Sequence, residues 1–431
     1  MSVADSVGSE QSPGPGADEA AVIWSEGYLS YKWAHTHPMN PVRLALTVSL
    51  AQSLGVFDDV DPIPPLELDD DALKVVHTAD YINAVRAVGS GTASLSGPLL
   101  ERLFGLGDAD NPIFDGMHEA SRLLVGGTVA AAQAIASGSV RRAVNIGGGM
   151  HHAMPARAAG FCVYNDCSVA IKWLLANGFD RIAYIDIDAH HGDGVQLEFI
   201  DDPRVMTVSL HQHPATLWPG TGWSTEVGDG AAAGASVNLP LMPGVTDRLW
   251  LRSFHSVVPS MMEAFKPQIL ISQCGADSHR ADPLTDLSLT VDGQRAAIYA
   301  MRDLADRYCD GRWLTVGGGG YGVINVVPRI WTHLIAATLG RSVDPSTLIG
   351  DEWLDGARTI AAQVHSDYSR PPETTMSDGG DVNYVAWDGD TGQVPPEGIT
   401  EKAQAQTDRS ILATRRAVFP LHGLDPEDPR D

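Results

Sequence analysis

The sequence is poor in cysteine. Its 431 residues include four cysteines, at positions 162, 167, 274 and 309, and no two of them have CxxC spacing. A disulfide scaffold needs a dense set of paired cysteines, so this class of protein is excluded. So few thiols in so long a chain favour a reducing compartment, and we expect a cytoplasmic protein.

Long apolar runs and a basic leader segment are also missing. No stretch approaches the ~20 apolar residues that span a bilayer, so the sequence predicts no membrane-spanning helix and no membrane partner. Residues 1–19 lack the basic-then-apolar order of a secretory signal and are small, polar and rich in glycine and proline. We therefore expect residues 1–19 to be disordered.

Basic residues are scarce. The chain has 29 Lys and Arg against 54 Asp and Glu, which gives a formal net charge of −25. A strongly acidic protein repels nucleic acid, so we expect no direct nucleic-acid binding. Net charge does not by itself identify a partner, because it also keeps proteins soluble.

Short β-branched runs alternate with helix-like stretches along most of the chain. Strands are predicted at residues 143–146, 181–188, 205–210, 268–273 and 313–316. Helices are predicted at residues 76–91, 119–138, 165–178, 246–265, 293–308 and 405–420. This alternation predicts a single-domain α/β fold with a central, mostly parallel sheet flanked by helices on both faces. Proline, glycine and acidic residues increase after residue 340, so residues 341–431 are predicted to form an extension packed on a domain of residues 20–340.

Four predicted strands run directly into polar clusters. These clusters are GGGMHH after residue 146, DIDAHHGDG after residue 185, CGADSHRADP after residue 273 and GGGGYG after residue 316. In an open parallel sheet, ligands bind outside the carboxyl ends of the strands. We therefore expect the four clusters to meet at one edge of the sheet and to form a site.

Two of these clusters carry a set of metal ligands. Asp188 and His190 lie two residues apart at a strand end, so their side chains can point the same way. A single Asp-x-His pair is more often a solvated strand end, but Asp277 from another strand end completes a set of three donors. Three protein ligands with an open coordination position are typical of a catalytic Zn²⁺ or Fe²⁺ site.

The remaining polar residues predict acid–base chemistry beside the ion. His151 and His152 follow a glycine-rich turn, and Asp186 and Asp193 are left as carboxylates that could each hold a histidine ring. Two such pairs would supply a general base and a general acid, and the sequence does not say which histidine is which. The phenol of Tyr321 could donate a hydrogen bond to a developing oxyanion.

Together these motifs resemble the metal-dependent deacetylase family, which includes class I histone deacetylases and, with a nearer resemblance, bacterial acetoin-utilisation deacetylases. The matching stretches are, in family order, HPMNPVR, GDADNPIFDG, GGGMHHAMPARAAGFCVYND, YIDIDAHHGDGV, VMTVSLHQ, PGTG, QCGADSHRADP and GGGGYG. They cover residues 21–340, and the closing ATRRAVFPLHGLDP extends the likeness to nearly the whole chain. The resemblance implies the arginase–deacetylase fold and hydrolysis of Nε-acetyl-lysine on proteins to lysine and acetate.

The resemblance also implies a role for each motif residue. The catalytic ion, Zn²⁺ with Fe²⁺ as the alternative, would be held by Asp188, His190 and Asp277. The catalytic residues would be His151, His152, Tyr321, Asp186 and Asp193, with Asp186 behind His151 and Asp193 behind His152. The substrate-binding residues would be Asp110, Gly160, Phe161, Trp218, Leu284 and Gly319. Arg43 would lie in the internal cavity that releases acetate.

Structural potassium is a further implication of the resemblance. One site would use Asp186, Asp188, His190, Ser209 and Leu210, and a second would involve Phe199 and Val205.

The sequence departs from the family pattern at three positions. The loop before Asp110 is one residue longer, which leaves Asp108 as the alternative rim aspartate. Trp218 stands where Phe or Tyr is usual, and Leu284 stands where many eukaryotic relatives have Met.

The substrate remains open at this level. An acetylated protein or peptide is the expected partner, with acetyl-CoA synthetase as one candidate, and acetylpolyamines are the alternative substrate class. A ureohydrolase with two Mn²⁺ ions is disfavoured because Gly192 and His279 stand where its further acidic ligands belong. A non-enzymatic acetyl-lysine binder is disfavoured because every expected catalytic position is present.

Overall fold

The computed structural model describes residues 20–34, 37–361, 372–390 and 392–431, so the predicted disordered segment 1–19 lies outside the described residues. The strands are β1 (Ala20–Val22), β2 (Arg142–Asn145), β3 (Ile182–Asp186), β4 (Val205–Gln212), β5 (Ser236–Leu241), β6 (Ile269–Gln273) and β7 (Trp313–Val316). The helices are α1 (Val42–Ser53), α2 (Asp70–Leu73), α3 (Ala79–Gly89), α4 (Gly97–Phe104), α5 (Met117–Ala136), α6 (Asp166–Ala176), α7 (Asp193–Glu198), α8 (Asp247–Phe265), α9 (Val291–Tyr308), α10 (Val327–Thr338), α11 (Asp351–Ala361) and α12 (Glu401–Val418). Among these helices, none combines the length and the hydropathy needed to cross a membrane.

The strands form one parallel sheet in the order β1-β2-β7-β6-β3-β4-β5. The prediction of an α/β fold with a parallel sheet is therefore confirmed. The five predicted strands are present with ends shifted by two residues at most, whereas the edge strands β1 and β5 were not predicted. Parallel neighbours need long crossover connections, and helices supply them here.

The four strands that carry the polar clusters are neighbours, in the order β2-β7-β6-β3. Their last residues stand in one row across the sheet, because Asn145 pairs with Val316, Val316 with Gln273, and Gln273 with Asp186. The four loops therefore start at the same level of the carboxyl edge. This register brings the polar clusters together.

Helices cover both faces of the sheet. β2 is contacted by α5, which packs on α6, and also by α10, which packs on α1 and α9. Every residue of strands β2 to β7 is buried. Double coverage explains why the central strands are nearly continuous apolar runs rather than alternating ones.

The residues after position 340 pack against this sheet and its helices. Helix α11 contacts α1, and α12 contacts both β5 and α8. The guanidinium of Arg252 on α8 donates to the carboxylate of Asp408 on α12 at 2.8 Å, and both side chains are buried. Arg415 lies over the rings of Trp387 and Phe419, 4.6 and 4.1 Å from their centroids. The domain boundary at residue 340 itself stays a prediction.

Candidate active site

Asp188, His190 and Asp277 lie together at the carboxyl edge of the sheet. Nδ1 of His190 is 2.9 Å from Oδ2 of Asp277 and 3.2 Å from Oδ1 of Asp188. One donor atom of each residue lies within 4.8 Å of the other two, and no other group of three metal-binding side chains occurs in the described part of the chain. Three donors at this spacing can surround one divalent ion at the usual ~2.0–2.2 Å.

The electrostatics of the three residues fit a bound cation. Both carboxylates are fully buried. Burial and the charge of Asp188 raise the pKa of Asp277 to about 7. Burial alone would lower the pKa of His190, but its contacts with Asp188 and Asp277 outweigh burial and raise it to about 10. Two buried carboxylates side by side are costly unless a positive charge compensates them, which a divalent ion does.

Groups around the three donors hold them in place. The backbone N–H of Ala189 donates to Oδ1 of Asp277 at 2.7 Å, and that of Gly319 donates to Oδ2 of Asp188 at 2.8 Å. The side-chain amide of Gln273 also donates to Oδ2 of Asp188, at 2.8 Å. Gln273 was missed in the sequence, although it is the last residue of a predicted strand.

The tandem histidines each bind a carboxylate. Nδ1 of His151 is 2.7 Å from Oδ2 of Asp186, and Nδ1 of His152 is 2.7 Å from Oδ1 of Asp193. These are the pairs that the family resemblance implies. The hydroxyl of Tyr184 donates to the same Asp186 oxygen at 2.7 Å, a contact that the sequence did not suggest. Because Nδ1 faces a carboxylate in both rings, Nε2 is left to face the site.

The two histidines differ in proton affinity. Burial lowers the pKa of His151, but the charges of Asp186 and Asp188 outweigh burial and raise it to about 9. Burial and the positive charge of His151, whose ring centroid is 3.9 Å away, lower the pKa of His152 to about 4. The surroundings of the two rings therefore shift their pKa values in opposite directions, up for His151 and down for His152.

Tyr321 is the buried phenol of this site. Its backbone N–H donates to Oδ2 of Asp282 at 2.7 Å, and its ring meets Phe161 edge-on at a centroid distance of 5.6 Å. Burial and the nearby charge of Asp277 raise the pKa of Tyr321 well above its ordinary value. The phenol therefore keeps its proton and can act as a hydrogen-bond donor. Asp282 is a second residue that the sequence did not single out.

Comparison with known proteins identifies the family. The family model described as histone deacetylase domain matches residues 37–338, which is more than half of the chain. The chain belongs to the histone deacetylase family. Acetoin utilization protein AcuC of Bacillus subtilis is 42% identical over 337 residues, which cover 78% of this chain and 86% of that protein. AcuC of Staphylococcus aureus strain MSSA476 is 36% identical over 366 residues, which cover 83% and 93%. The protein is thus an AcuC-like deacetylase of this family.

Solved structures support the same assignment. An HDAC homolog from Aquifex aeolicus aligns with a TM-score of 0.78 and 27% identity over 91% of this chain and 99% of that one. An HDAC homolog complexed with SAHA matches with the same values. The expected arginase–deacetylase fold is therefore confirmed.

Aromatic rings flank the reactive groups of this deacetylase. Trp218 lies 4.6 Å from the ring of His152 and is 47% exposed, whereas Phe161 packs on Tyr321. Gly160 lies between two of these rings, because a Cβ there would be 2.5 Å from Cδ2 of His152 and 2.7 Å from the Trp218 ring. Gly160 and Phe161 both have positive φ, 51° and 66°. The turn at these residues thus presents the Phe161 ring beside a gap that only glycine leaves open.

The rim aspartate has two candidates with different surroundings. The carboxylate of Asp108 accepts the backbone N–H of Asn111 at 2.6 Å, so it is engaged within its own loop. Asp110 is exposed, and its carbonyl accepts Nε2 of His37 at 3.2 Å. Asp110 is therefore the better candidate to meet a substrate. Leu284 is half-buried, and its backbone N–H donates to Asp282 in the loop after Asp277.

Arg43 is buried behind the site. Its guanidinium donates to the carbonyl of Gly320 at 3.0 Å and lies over the ring of Trp331. It lines a small internal cavity with Tyr28, Tyr31 and Met150, among others. This position is compatible with the predicted role in acetate release, which remains a prediction.

The predicted potassium ligands are close in the fold. Asp186 pairs with Ser209 across strands β3 and β4, and Leu210 follows in β4. Phe199 and Val205 lie at the two ends of the loop between α7 and β4. Both potassium sites stay predictions.

Two histidines outside the metal and catalytic groups have side-chain partners of their own. Nε2 of His279 is 2.6 Å from Asp378 of the extension, and Nδ1 of His211 is 2.8 Å from Oγ of Ser209.

Proposed function

We propose that this deacetylase hydrolyses Nε-acetyl-lysine on proteins to lysine and acetate, using one Zn²⁺ or Fe²⁺ held by Asp188, His190 and Asp277. One observation carries the proposal. A buried group of three metal-binding side chains stands beside two His–Asp pairs, each with an Nδ1-to-carboxylate distance of 2.7 Å.

The donor set supports a single divalent cation. Bound there, such an ion would polarise the acetyl carbonyl and lower the pKa of a water molecule toward ~7. The remaining chemistry can be assigned to side chains of this chain.

His152 is the general base in this proposal. Its low pKa leaves Nε2 unprotonated near neutral pH, while Nδ1 donates to Asp193. Nε2 can therefore accept the proton of the attacking water as the new C–O bond forms. Asp193 fixes the ring and stabilises the charge that the ring gains.

His151 is the general acid. Its raised pKa keeps Nε2 protonated, and the carboxylate of Asp186 holds its other nitrogen. It can give this proton to the lysine nitrogen as the amide C–N bond breaks. Tyr321 donates to the carbonyl oxygen as that oxygen becomes negative.

The substrate is proposed to enter between the rings of Phe161 and Trp218, with the carboxylate of Asp110 accepting backbone N–H groups of a peptide. Acetylated proteins, with acetyl-CoA synthetase as one candidate, are the proposed partners. The net charge of −25 disfavours nucleic acid. A cytoplasmic location and structural K⁺ at the two predicted sites complete the proposal.

The test is hydrolysis of acetyl-lysine peptides before and after chelation, followed by addition of Zn²⁺ or Fe²⁺. We expect chelation to abolish activity and either ion to restore it at about one ion per chain. His190→Ala should lose metal and activity. His255→Ala should keep both, because His255 stacks on Tyr384 of the extension.

Three results would count against the proposal. Activity that survives complete chelation would show that the reaction does not need a metal ion. Faster cleavage of acetylspermidine than of peptides would favour the polyamine alternative. Two manganese ions per chain would favour a ureohydrolase.

A further inference from the structure

The segment 149–154, which carries both catalytic histidines, is held from behind by buried side chains at the start of helix α6. Asp166, the first residue of this helix, is fully buried. Its Oδ1 accepts the backbone N–H of Met150 at 2.7 Å, and its Oδ2 accepts that of Gly149 at 3.0 Å. The hydroxyl of Thr128 donates to Oδ2 at 2.5 Å. The carboxylate thus fastens the chain directly before His151.

Asn165 fastens the other side of the pair. Its Nδ2 donates to the carbonyl of Ala153 at 3.0 Å and to that of His151 at 3.3 Å. Its Oδ1 accepts the backbone N–H of Ser168 at 2.9 Å and caps helix α6. Asn165 therefore joins the histidine segment to the N-terminus of helix α6, which packs on α5.

His77 extends the same arrangement. Its Nε2 accepts the backbone N–H of Asn165 at 2.9 Å, and its Nδ1 donates to the carbonyl of Met154 at 3.2 Å. Burial lowers the pKa of His77 to about 4, so the ring is neutral, as one donor and one acceptor require.

These contacts leave the histidine segment little freedom. Backbone groups at positions 149, 150, 151, 153 and 154 are all bound by side chains of Asp166, Asn165 or His77. An uncharged amide at position 166 could not replace the carboxylate, because every neighbour donates and an amide has one oxygen and a nitrogen that also donates. Position 166 therefore needs an acid.

We propose that Asp166 and Asn165 are positioning residues for the deacetylase reaction, acting by holding the backbone of His151 and His152 against the substrate. The inference rests on the proposed function, since it assigns the two histidines to proton transfer. A displacement of ~1 Å in a catalytic group can cost about 100-fold in rate.

The first test compares Asp166→Asn with Asp247→Asn. Asp247 is a matched control, because it is also buried, begins helix α8, and accepts a threonine hydroxyl and a backbone N–H, both from Thr290. Thr290 caps helix α9 rather than the histidine segment. We expect Asp166→Asn to lower kcat about 10- to 100-fold with KM within about twofold, and Asp247→Asn to leave both unchanged.

Thr128 provides a milder variant if Asp166→Asn does not fold. Thr128→Val removes one donor to Asp166 at nearly constant volume and should lower kcat by several-fold, whereas Thr128→Ser should restore it. Equal losses in Asp166→Asn and Asp247→Asn would overturn the proposal, as would an unchanged kcat in both Asp166→Asn and Thr128→Val.

A second readout does not depend on substrate. The Nδ1 protons of His151 and His152 lie in 2.7 Å bonds to carboxylates and should give separate downfield proton NMR signals. His151→Ala and His152→Ala assign them. We expect Asp166→Asn to shift or broaden both signals and Asp247→Asn to leave them in place. Unmoved signals in Asp166→Asn would refute the positioning role even if the deacetylase activity is confirmed. Shifted signals in a protein that cleaves no acetyl-lysine would instead refute only the proposed function.

Discussion

Adding one methyl group at Gly319 should disable the metal site while leaving the surrounding fold in place. A Cβ at this position would lie 2.8 Å from Oδ2 of Asp188 and closer still to Oδ2 of Asp277. Each oxygen would have to move by about 0.5–1 Å to reach an ordinary non-bonded separation. Metal–ligand distances tolerate about 0.2 Å. We therefore expect Gly319→Ala to weaken metal affinity about 100-fold, or about 2.8 kcal/mol.

Competition with a chromophoric chelator measures this affinity, and elemental analysis gives the metal content of the purified variant. Gly350→Ala is the control, because a Cβ at Gly350 would meet no atom within 4 Å. It should bind metal as the wild type does. Activity of Gly319→Ala should recover in part at high metal concentration. Wild-type metal affinity in Gly319→Ala would show that Asp188 and Asp277 do not hold the ion together.

Three further predictions concern the reactive groups and their approach. Tyr321→Phe should keep the edge contact with Phe161 and a near-normal KM but lose about 10²–10³-fold in kcat, as steady-state kinetics will show; wild-type turnover would exclude the phenol as a donor. The proposed reaction needs a neutral His152 and a protonated His151. We therefore expect kcat/KM to fall below about pH 4, where His152 gains a proton, and above about pH 9, where His151 loses one. A pH profile that stays flat through pH 9 would exclude His151 as the general acid. Trp218→Ala should raise KM for acetyl-lysine peptides by about 2- to 10-fold through the loss of one aromatic contact. It should also improve cleavage of longer acyl chains. An unchanged acyl preference would show that Trp218 does not border the path of the acyl-lysine side chain.

The central part of the fold could be predicted from the sequence because buried parallel strands are short apolar runs that end in sharp polar clusters. Strand β7 was predicted at its observed limits, and β6 to within one residue. The two edge strands gave weaker signals. β5 contains Pro240, which lacks an N–H and is tolerated at an edge, and β1 has only three residues.

The residues of the site likewise fall into those that the sequence predicts and those that it does not. Asp188 and His190 were paired in the sequence on the expectation that two residues along an extended chain point the same way. Strand β3 ends at Asp186, and the two side chains meet in the bends that follow it. The addition of Asp277 depended on strands β3 and β6 being neighbours, which the sheet order decides. Gln273, Asp282 and Asp166 gave no sequence signal, because each acts through a backbone or carboxylate partner far away along the chain.

The sequence by itself determined the residue types of the site, their spacing within each loop and the alternation of strands with helices, because these depend on local periodicity and side-chain chemistry. Only the tertiary structure decided how the two histidines differ. They are adjacent in sequence, and each has a carboxylate oxygen 2.7 Å from its Nδ1. They separate in proton affinity because His151 lies in the added field of Asp188, whereas His152 lies beside the positive charge of His151.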